Sequence, residues 1–257
     1  MELELRQLTA GYGGRPILED LSLRMEKGRI TAIIGANGSG KSTMLKAMSR
    51  ILKPTNGTVC LDGRSLPSWK NADLARALAI LPQAHAIPED LTVRDLVSCG
   101  RFPHRRAKGN TPAKNAQAVG RALDLACASE LADRLLPTLS GGERQRAWLA
   151  MTLAQEPKIL LLDEPTTFLD IRFQFEVLDL ISKLNRELGL TVVMVLHDLN
   201  HAARYAQRIV AVKDGRAAAQ GTPEEVLVPE TLKDVFGIQG IVTRECGYPH
   251  FIPTSCA

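Results

Sequence analysis

The stretch that most constrains this chain is GANGSGKST, Gly35 to Thr43. It has the spacing G-x-x-x-x-G-K-S. A short apolar run, Arg29 to Ile34, precedes it. A helix-period segment, Lys41 to Ile51, follows, with Met44, Leu45, Met48 and Leu52 on one side. A buried strand turning through glycines into a helix start is the context such a loop requires. The glycines let backbone N–H groups converge into an anion nest. The helix start adds unpaired donors and a favourable dipole. Lys41 then reaches the β- and γ-phosphates of a nucleotide, and the Ser42 hydroxyl offers itself to Mg²⁺. Gly35, Asn37, Gly38, Gly40, Lys41, Ser42 and Thr43 are therefore candidate nucleotide-binding residues.

A second stretch completes that chemistry. In ILLLDEPTTFLD, residues 159–170, four apolar residues run into Asp163 and Glu164. The apolar run is a fully buried strand by pattern. An ionised carboxylate at its end is costly unless paired or bound to a metal. Asp163 is placed to hold Mg²⁺ beside the phosphates. Glu164, one residue on, points elsewhere and can orient or deprotonate an attacking water.

Composition sets the frame. The chain has 257 residues, 45% of them hydrophobic, and a net charge of +4 from 32 basic and 28 acidic residues. That balance permits anionic ligands without demanding nucleic acid. No segment approaches the roughly 20 apolar residues of a spanning helix. The opening MELELRQL lacks the apolar core of a signal peptide, so the expected compartment is the cytosol. Cys60, Cys99, Cys127, Cys246 and Cys256 are widely spaced, never C-x-x-C, and signal neither a disulfide framework nor a zinc knuckle.

The pattern along the chain predicts an α/β fold with a mostly parallel sheet, a small antiparallel β subdomain and an inserted helical subdomain. Residues 2–8 and 17–25 alternate like antiparallel strands about GYGGRP. Leu78 to Leu81 reads as a strand ended by Pro82. VRDLVSCG and TPAKNAQAVGRALDLACA read as helices without intervening strand pattern. The expected division is a core of residues 1–86 and 147–236, an insertion over 87–146 and a weakly patterned tail over 237–257. Helices are expected over 142–155 and 171–188, a strand over LTVVMVL, and a hairpin in RIVAVKDGRAAAQG turned by Asp214 and Gly215.

The third motif is LSGGERQRAWLA, Leu139 to Ala150. Ser140 is an N-cap by pattern, Glu143 sits at the capping-box offset, and Gly141 and Gly142 leave the helix start open to an anion. With all three motifs in order, nearly the whole chain resembles the nucleotide-binding subunits of ATP-binding cassette (ABC) transporters, P-loop nucleotide hydrolases that use ATP and Mg²⁺. The resemblance implies further roles. Tyr12 matches the aromatic that stacks on adenine; its alternative is a packed aromatic in a strand turn. Gln83 in ILPQ matches the glutamine that reaches Mg²⁺ at the permease contact; its alternative is a surface amide. Ser140, Gly141 and Gly142 match the signature that closes on the γ-phosphate of the opposite protomer. Asp163 and Glu164 match the metal-binding acid and the catalytic glutamate. Asp170 matches the loop that crosses the dimer interface. His197 in VLHDLN matches the γ-phosphate sensor; its alternatives are a core histidine or a metal pair with His201. Glu143 departs from the glutamine often found there. The expectation is that it caps its own helix or pairs with Arg144 or Arg146.

A single cassette without a spanning segment implies an importer built from separate subunits. It would be a homodimer of cassettes sandwiching two ATP at the cytoplasmic face of the inner membrane. Its partners would be a multispanning permease and, indirectly, a periplasmic or lipoprotein substrate-binding protein, with no nucleic acid. VRDLVSCGRFPH, ERQRAWLAMTLAQE and DEPTTFLD resemble cassettes serving iron(III)–siderophore importers. Haem and cobalamin importers are the alternative, and a non-transport ABC ATPase of DNA repair or regulation is the reading from another class. Arg101, His104, Arg105 and Arg106 form a basic cluster, read as a solvated face in preference to a binding surface.

Overall fold

Alternating burial organises the first residues into β1 (Leu3–Tyr12) and β2 (Arg15–Met25), in which Leu3, Leu5, Leu8, Leu18, Leu21 and Met25 turn inward. The structure is a computed structural model that describes residues 1–83, 89–107, 109–245 and 247–256. After β2 come β3 (Ile30–Ile34), α1 (Lys41–Met48), β4 (Asn56–Leu61), β5 (Arg64–Ser65), α2 (Asn71–Ala77), β6 (Leu78–Leu81), α3 (Val93–Cys99), α4 (Pro112–Leu125) and α5 (Gly141–Ala154). The chain continues through β7 (Ile159–Asp163), α6 (Ile171–Leu188), β8 (Thr191–Val195), α7 (Leu199–Tyr205), β9 (Arg208–Lys213) and β10 (Arg216–Gly221). It closes with α8 (Pro223–Val226), α9 (Pro229–Phe236), β11 (Ile238–Glu245) and β12 (Tyr248–Cys256). These elements form two units, residues 1–68 with 191–257, and residues 69–190. The expected start of the insertion, at 87, lies outside the described residues, as do Cys246 and Ala257.

In the first unit, β2, β1, β4 and β5 form an antiparallel sheet in that order. β3 pairs in parallel with β8 on one side and β9 on the other, and β10 adds antiparallel to β9. Every residue of β3 and β8 is buried, which is why each reads as a continuous apolar run rather than an alternation. The C-terminal segment was weakly patterned in sequence, yet it forms the β11–β12 hairpin. Its strands carry Gly240, Pro249 and Pro253, residues that mark edges and irregularities rather than strand interiors. Its anchor is tertiary. Asn200 on α7 accepts the Phe251 N–H at 2.8 Å and donates to the Phe251 carbonyl at 3.2 Å, with Phe251 itself buried.

In the second unit, β6 and β7 pair in parallel, Leu81 beside Leu162. α3 starts at a capping box between Thr92 and Asp95, and α4 at Thr111 with Pro112 in its first turn. α6 spans the residues its period predicts and ends at Gly189 in the left-handed conformation. The basic cluster divides: Arg105 and Arg106 are exposed, as expected of a solvated face, whereas Arg101 and His104 are not. Arg101 is only 6% exposed. It donates to the Ala154 carbonyl at 2.6 Å, to Glu156 at 2.8 Å and to Asn115 at 3.0 Å. His104 Nε2 lies 2.9 Å from the Gln155 carbonyl. Both bind the C-terminal end of α5, so they are interior ties rather than a solvated face.

Candidate active site

In the first unit, β3 delivers the chain into Gly35 and the loop closes at Gly40, the N-cap of α1. Gly40 has φ 105°, a backbone state that side chains other than glycine's rarely adopt. No side chain caps α1, and its first turn carries no acidic residue, so nothing anionic at this helix start competes with an arriving phosphate. Lys41 is 5% exposed, and its Nζ donates to the carbonyls of Gly35 at 2.9 Å and Ala36 at 2.8 Å. Asn37 and Gly38 form the exposed tip of the loop, Ser42 is half-buried and Thr43 is buried. Ser39 Oγ is buried and has no hydrogen-bond partner among the described residues. A Cβ on Gly35 would stand 2.8 Å from that oxygen. A buried cation, an orphaned hydroxyl and a glycine-lined hollow over a bare helix start together suit a polyphosphate.

The same unit brings two further candidates to this edge of the sheet. Ile33 of β3 lies beside Val195 of β8, and the Leu196 N–H donates to the Ile33 carbonyl at 3.1 Å. His197 therefore emerges, exposed, on the same strand edge as the loop. His201, four residues on, turns inward. It is buried, with its ring edge-on to Tyr205 at 6.4 Å. Among the described residues no group of three His, Cys, Asp or Glu is arranged to hold a metal ion. Tyr12 ends β1 at 49% exposure, its ring centroid 5.9 Å from the Lys46 ammonium on α1. It is an offered aromatic face, not a packed core ring.

In the second unit, the parallel register of β6 and β7 places Gln83 and the Asp163–Glu164 pair at one edge. Asp163 is 6% exposed, and Glu164 is half-buried with φ 53°. A left-handed glutamate costs of order 1–3 kcal/mol and persists where its surroundings hold it. Two donors hold this one. The Gln83 amide donates to Glu164 Oε2 at 2.5 Å, and Thr167 Oγ1 donates to the same oxygen at 3.0 Å. Thr167 was missed in sequence. Its signal is the offset of three from Glu164, across a turn in which the Thr167 N–H donates to the Glu164 carbonyl at 3.2 Å. Asp170 is the exposed N-cap residue of α6 and makes no side-chain cap.

The signature lies in the same unit. Ser140 N-caps α5: its hydroxyl accepts from the Glu143 N–H at 3.3 Å, and Glu143 accepts from the Ser140 N–H at 2.8 Å. That backbone donor is the main reason the Glu143 carboxyl is held below its ordinary range. Glu143 thus caps its own helix, as expected, and its ion pair, at 3.0 Å, is with Arg134 rather than with Arg144 or Arg146. Arg134 comes from a loop nine residues earlier, a partner that helix spacing cannot reveal. Gly141 is exposed. Gly142 is buried, and a Cβ there would fall 2.6 Å from the Phe173 ring on α6. The Phe173 ring thus leaves no room for a side chain at the second glycine.

The ABC transporter family profile matches residues 18–167. The chain belongs to the ABC transporter family. It is 48% identical over 243 residues to the iron(3+)-hydroxamate import ATP-binding protein FhuC of Bacillus subtilis (strain 168), across 95% of this chain and 90% of the relative. Identity is 43% over 249 residues to the ferric enterobactin transport ATP-binding protein FepC of Escherichia coli (strain K12), across 96% and 92%. Among solved structures, the ATP-binding cassette MJ0796, dimeric in a post-hydrolysis state with ADP and Pi, superposes with a TM-score of 0.74. Its identity is 29%, and the match covers 86% of this chain and 98% of that one. The fold is thus that of an ABC ATPase, a protein that binds ATP. No helix among the described residues is long and apolar enough to cross a membrane.

Proposed function

We propose that this ABC ATPase powers a bacterial importer of iron(III)–siderophore complexes. The geometric observation that carries the enzymatic part is the glycine-lined loop with its buried Lys41, set on the same strand edge as His197. The cargo is inferred from the similarity to FhuC and FepC.

In this reading Tyr12 stacks on adenine, the loop N–H groups and Lys41 neutralise the phosphates, and His197 contacts the γ-phosphate. Glu164 orients the attacking water and accepts its proton. Gln83 and Thr167 set the carboxylate's direction before reaction. Ser42, Asp163 and Gln83 are the residues that would hold Mg²⁺, which supplies charge neutralisation at the phosphates. Two copies form composite sites, Ser140, Gly141 and Gly142 of one facing the γ-phosphate on the other, with Asp170 in the crossing loop. ATP drives closure only because it binds the closed dimer better than the open state. A multispanning permease transmits that closure at the cytoplasmic face of the inner membrane, and a substrate-binding protein delivers the cargo.

The proposed docking surface for the permease is the helical segment over 87–146. There Phe102 is 71% exposed between two clefts of about 750 Å³, with Arg105 stacked 5.7 Å from its ring and Arg94 and Arg106 on the walls. An apolar anchor ringed by arginines fits a cytoplasmic loop of acidic and apolar character. A cysteine at Phe102 is expected to crosslink to permease loops with a yield that changes on adding ATP. Silence from every position over 89–105, while other surfaces crosslink, rejects the docking assignment. Uptake of radiolabelled ferric siderophore in a strain lacking this gene tests the cargo. Undiminished uptake of every ferric siderophore, with loss of haem or cobalamin uptake, rejects it.

A further inference from the structure

Glu143 poses an electrostatic problem that α1 does not have. The first turn of α1 is free of acids, whereas α5 carries a carboxylate in its first turn. For the helix itself that charge is favourable. For a γ-phosphate arriving at the same turn it is repulsive.

The structure shows where the charge is turned. Glu143 Oε2 takes the Ser140 N–H at 2.8 Å, and Oε1 takes Arg134 Nη1 at 3.0 Å. Arg134 is itself held on three sides. Its Nη2 donates to the Thr138 carbonyl at 2.7 Å, and its own carbonyl accepts from the Val93 N–H at 3.0 Å. The flanking bridge between Thr92 and Leu135, with Leu136 N–H to Leu91 carbonyl at 3.0 Å, fixes its backbone against the start of α3. The guanidinium thus reaches the first turn of α5 from a rigid base outside that helix.

We propose that Arg134 is a positioning residue for the signature. It holds and neutralises the Glu143 carboxylate against the helix's own cap, keeping a fixed negative charge out of the path of the γ-phosphate of a nucleotide on a second copy. This rests on the composite-site reading above. A neutral glutamine in place of Glu143 keeps the capping box and needs no guanidinium, so the requirement for Arg134 is conditional on the acid.

The test is a double-mutant cycle on the full chain in a Glu164→Gln background, reading the ATP concentration for half-maximal dimerisation by light scattering. Arg134→Gln keeps an amide donor for the Thr138 carbonyl while removing the charge. With Glu143 present, it is expected to raise that concentration about tenfold, a difference of about 1.4 kcal/mol. With Glu143→Gln, the same change is expected to cost less than about threefold, and Arg134→Lys to retain most of the response. The deficit of Arg134→Gln should also shrink at high ionic strength, because repulsion is screened and a packing defect is not. That measurement stands even if one member of the cycle folds poorly. An equal cost with and without the Glu143→Gln substitution, unmoved by salt, overturns the proposal and leaves Arg134 a loop tie. Ser140→Arg separates the layers. If it blocks dimerisation while the cycle is flat, only the Arg134 proposal fails. If it dimerises like its parent, the composite-site reading fails and this inference with it.

Discussion

The two phosphate-ready helix starts of this cassette are built in opposite ways. α1 begins at a left-handed glycine with no side-chain cap, no acid in its first turn and a buried lysine folded over the loop. α5 begins at a serine that satisfies its own backbone, closed by a capping box and backed by Arg134. The first start has neither cap nor acid to oppose a ligand, which suits the polyphosphate proposed for it. The second has the Ser140 and Glu143 N–H groups taken by its own capping box, so it offers an anion fewer donors. That asymmetry suits one site that holds nucleotide and another that reads whether it is held.

The hardest break in the comparison lies at neither helix start. Glu164→Gln removes the proposed proton acceptor and leaves both helix starts intact. Turnover is expected to fall about a thousandfold while ATP still drives dimers, as gel filtration with ATP would show. Undiminished phosphate release with monomers only would reject the assignment. Next, Lys41→Ala strips the buried cation from the first start and is expected to lower turnover about a hundredfold in a permease-reconstituted complex. Near wild-type hydrolysis would mean that the loop does not rely on its lysine. Ser140→Ala acts on the second start alone. Losing the cap is expected to cost about 1 kcal/mol of stability, read as a lower melting temperature without ATP, whereas α1 has no such cap to lose.

The smallest effect is on acid stability. The Glu143 carboxyl is lowered from 4.5, chiefly by the Ser140 N–H. The ionised group therefore stabilises the fold above its unfolded value, and that contribution is lost as pH falls through the lower folded value. Glu143→Gln should flatten the acid limb of the stability curve below pH 4.5 and leave the neutral region alone. An unchanged acid limb would remove the cap's electrostatic share.

Motif chemistry was legible because it is local. The loop Gly35 to Thr43, the acids after β7 and the cap at Ser140 each depend on residues a few positions apart. Thr167 was nearly legible for the same reason, since it reaches Glu164 across one turn. The long amphipathic helix Ile171–Leu188 was readable to its ends because its period is strong and Gly189 stops it. α2 (Asn71–Ala77), with a single turn or two of weak pattern, went unread.

Residues that look alike in sequence were sorted by their distant partners. Arg101, Arg105 and Arg134 carry the same group, yet one is buried on the end of α5, one stacks on an exposed Phe102, and one steadies the signature acid. His197 and His201 lie four residues apart, and one reaches the strand edge while the other packs on Tyr205. Gly142 owes its identity to Phe173, and the β11–β12 hairpin owes its place to Asn200. The chain alone could settle what short spacing controls: periods, caps, the phosphate loop and the chemistry of adjacent acids. Long-range packing had to assign the arginines, the second glycine and the C-terminal strands, because a charge or a missing side chain takes its energy from whatever the fold sets against it.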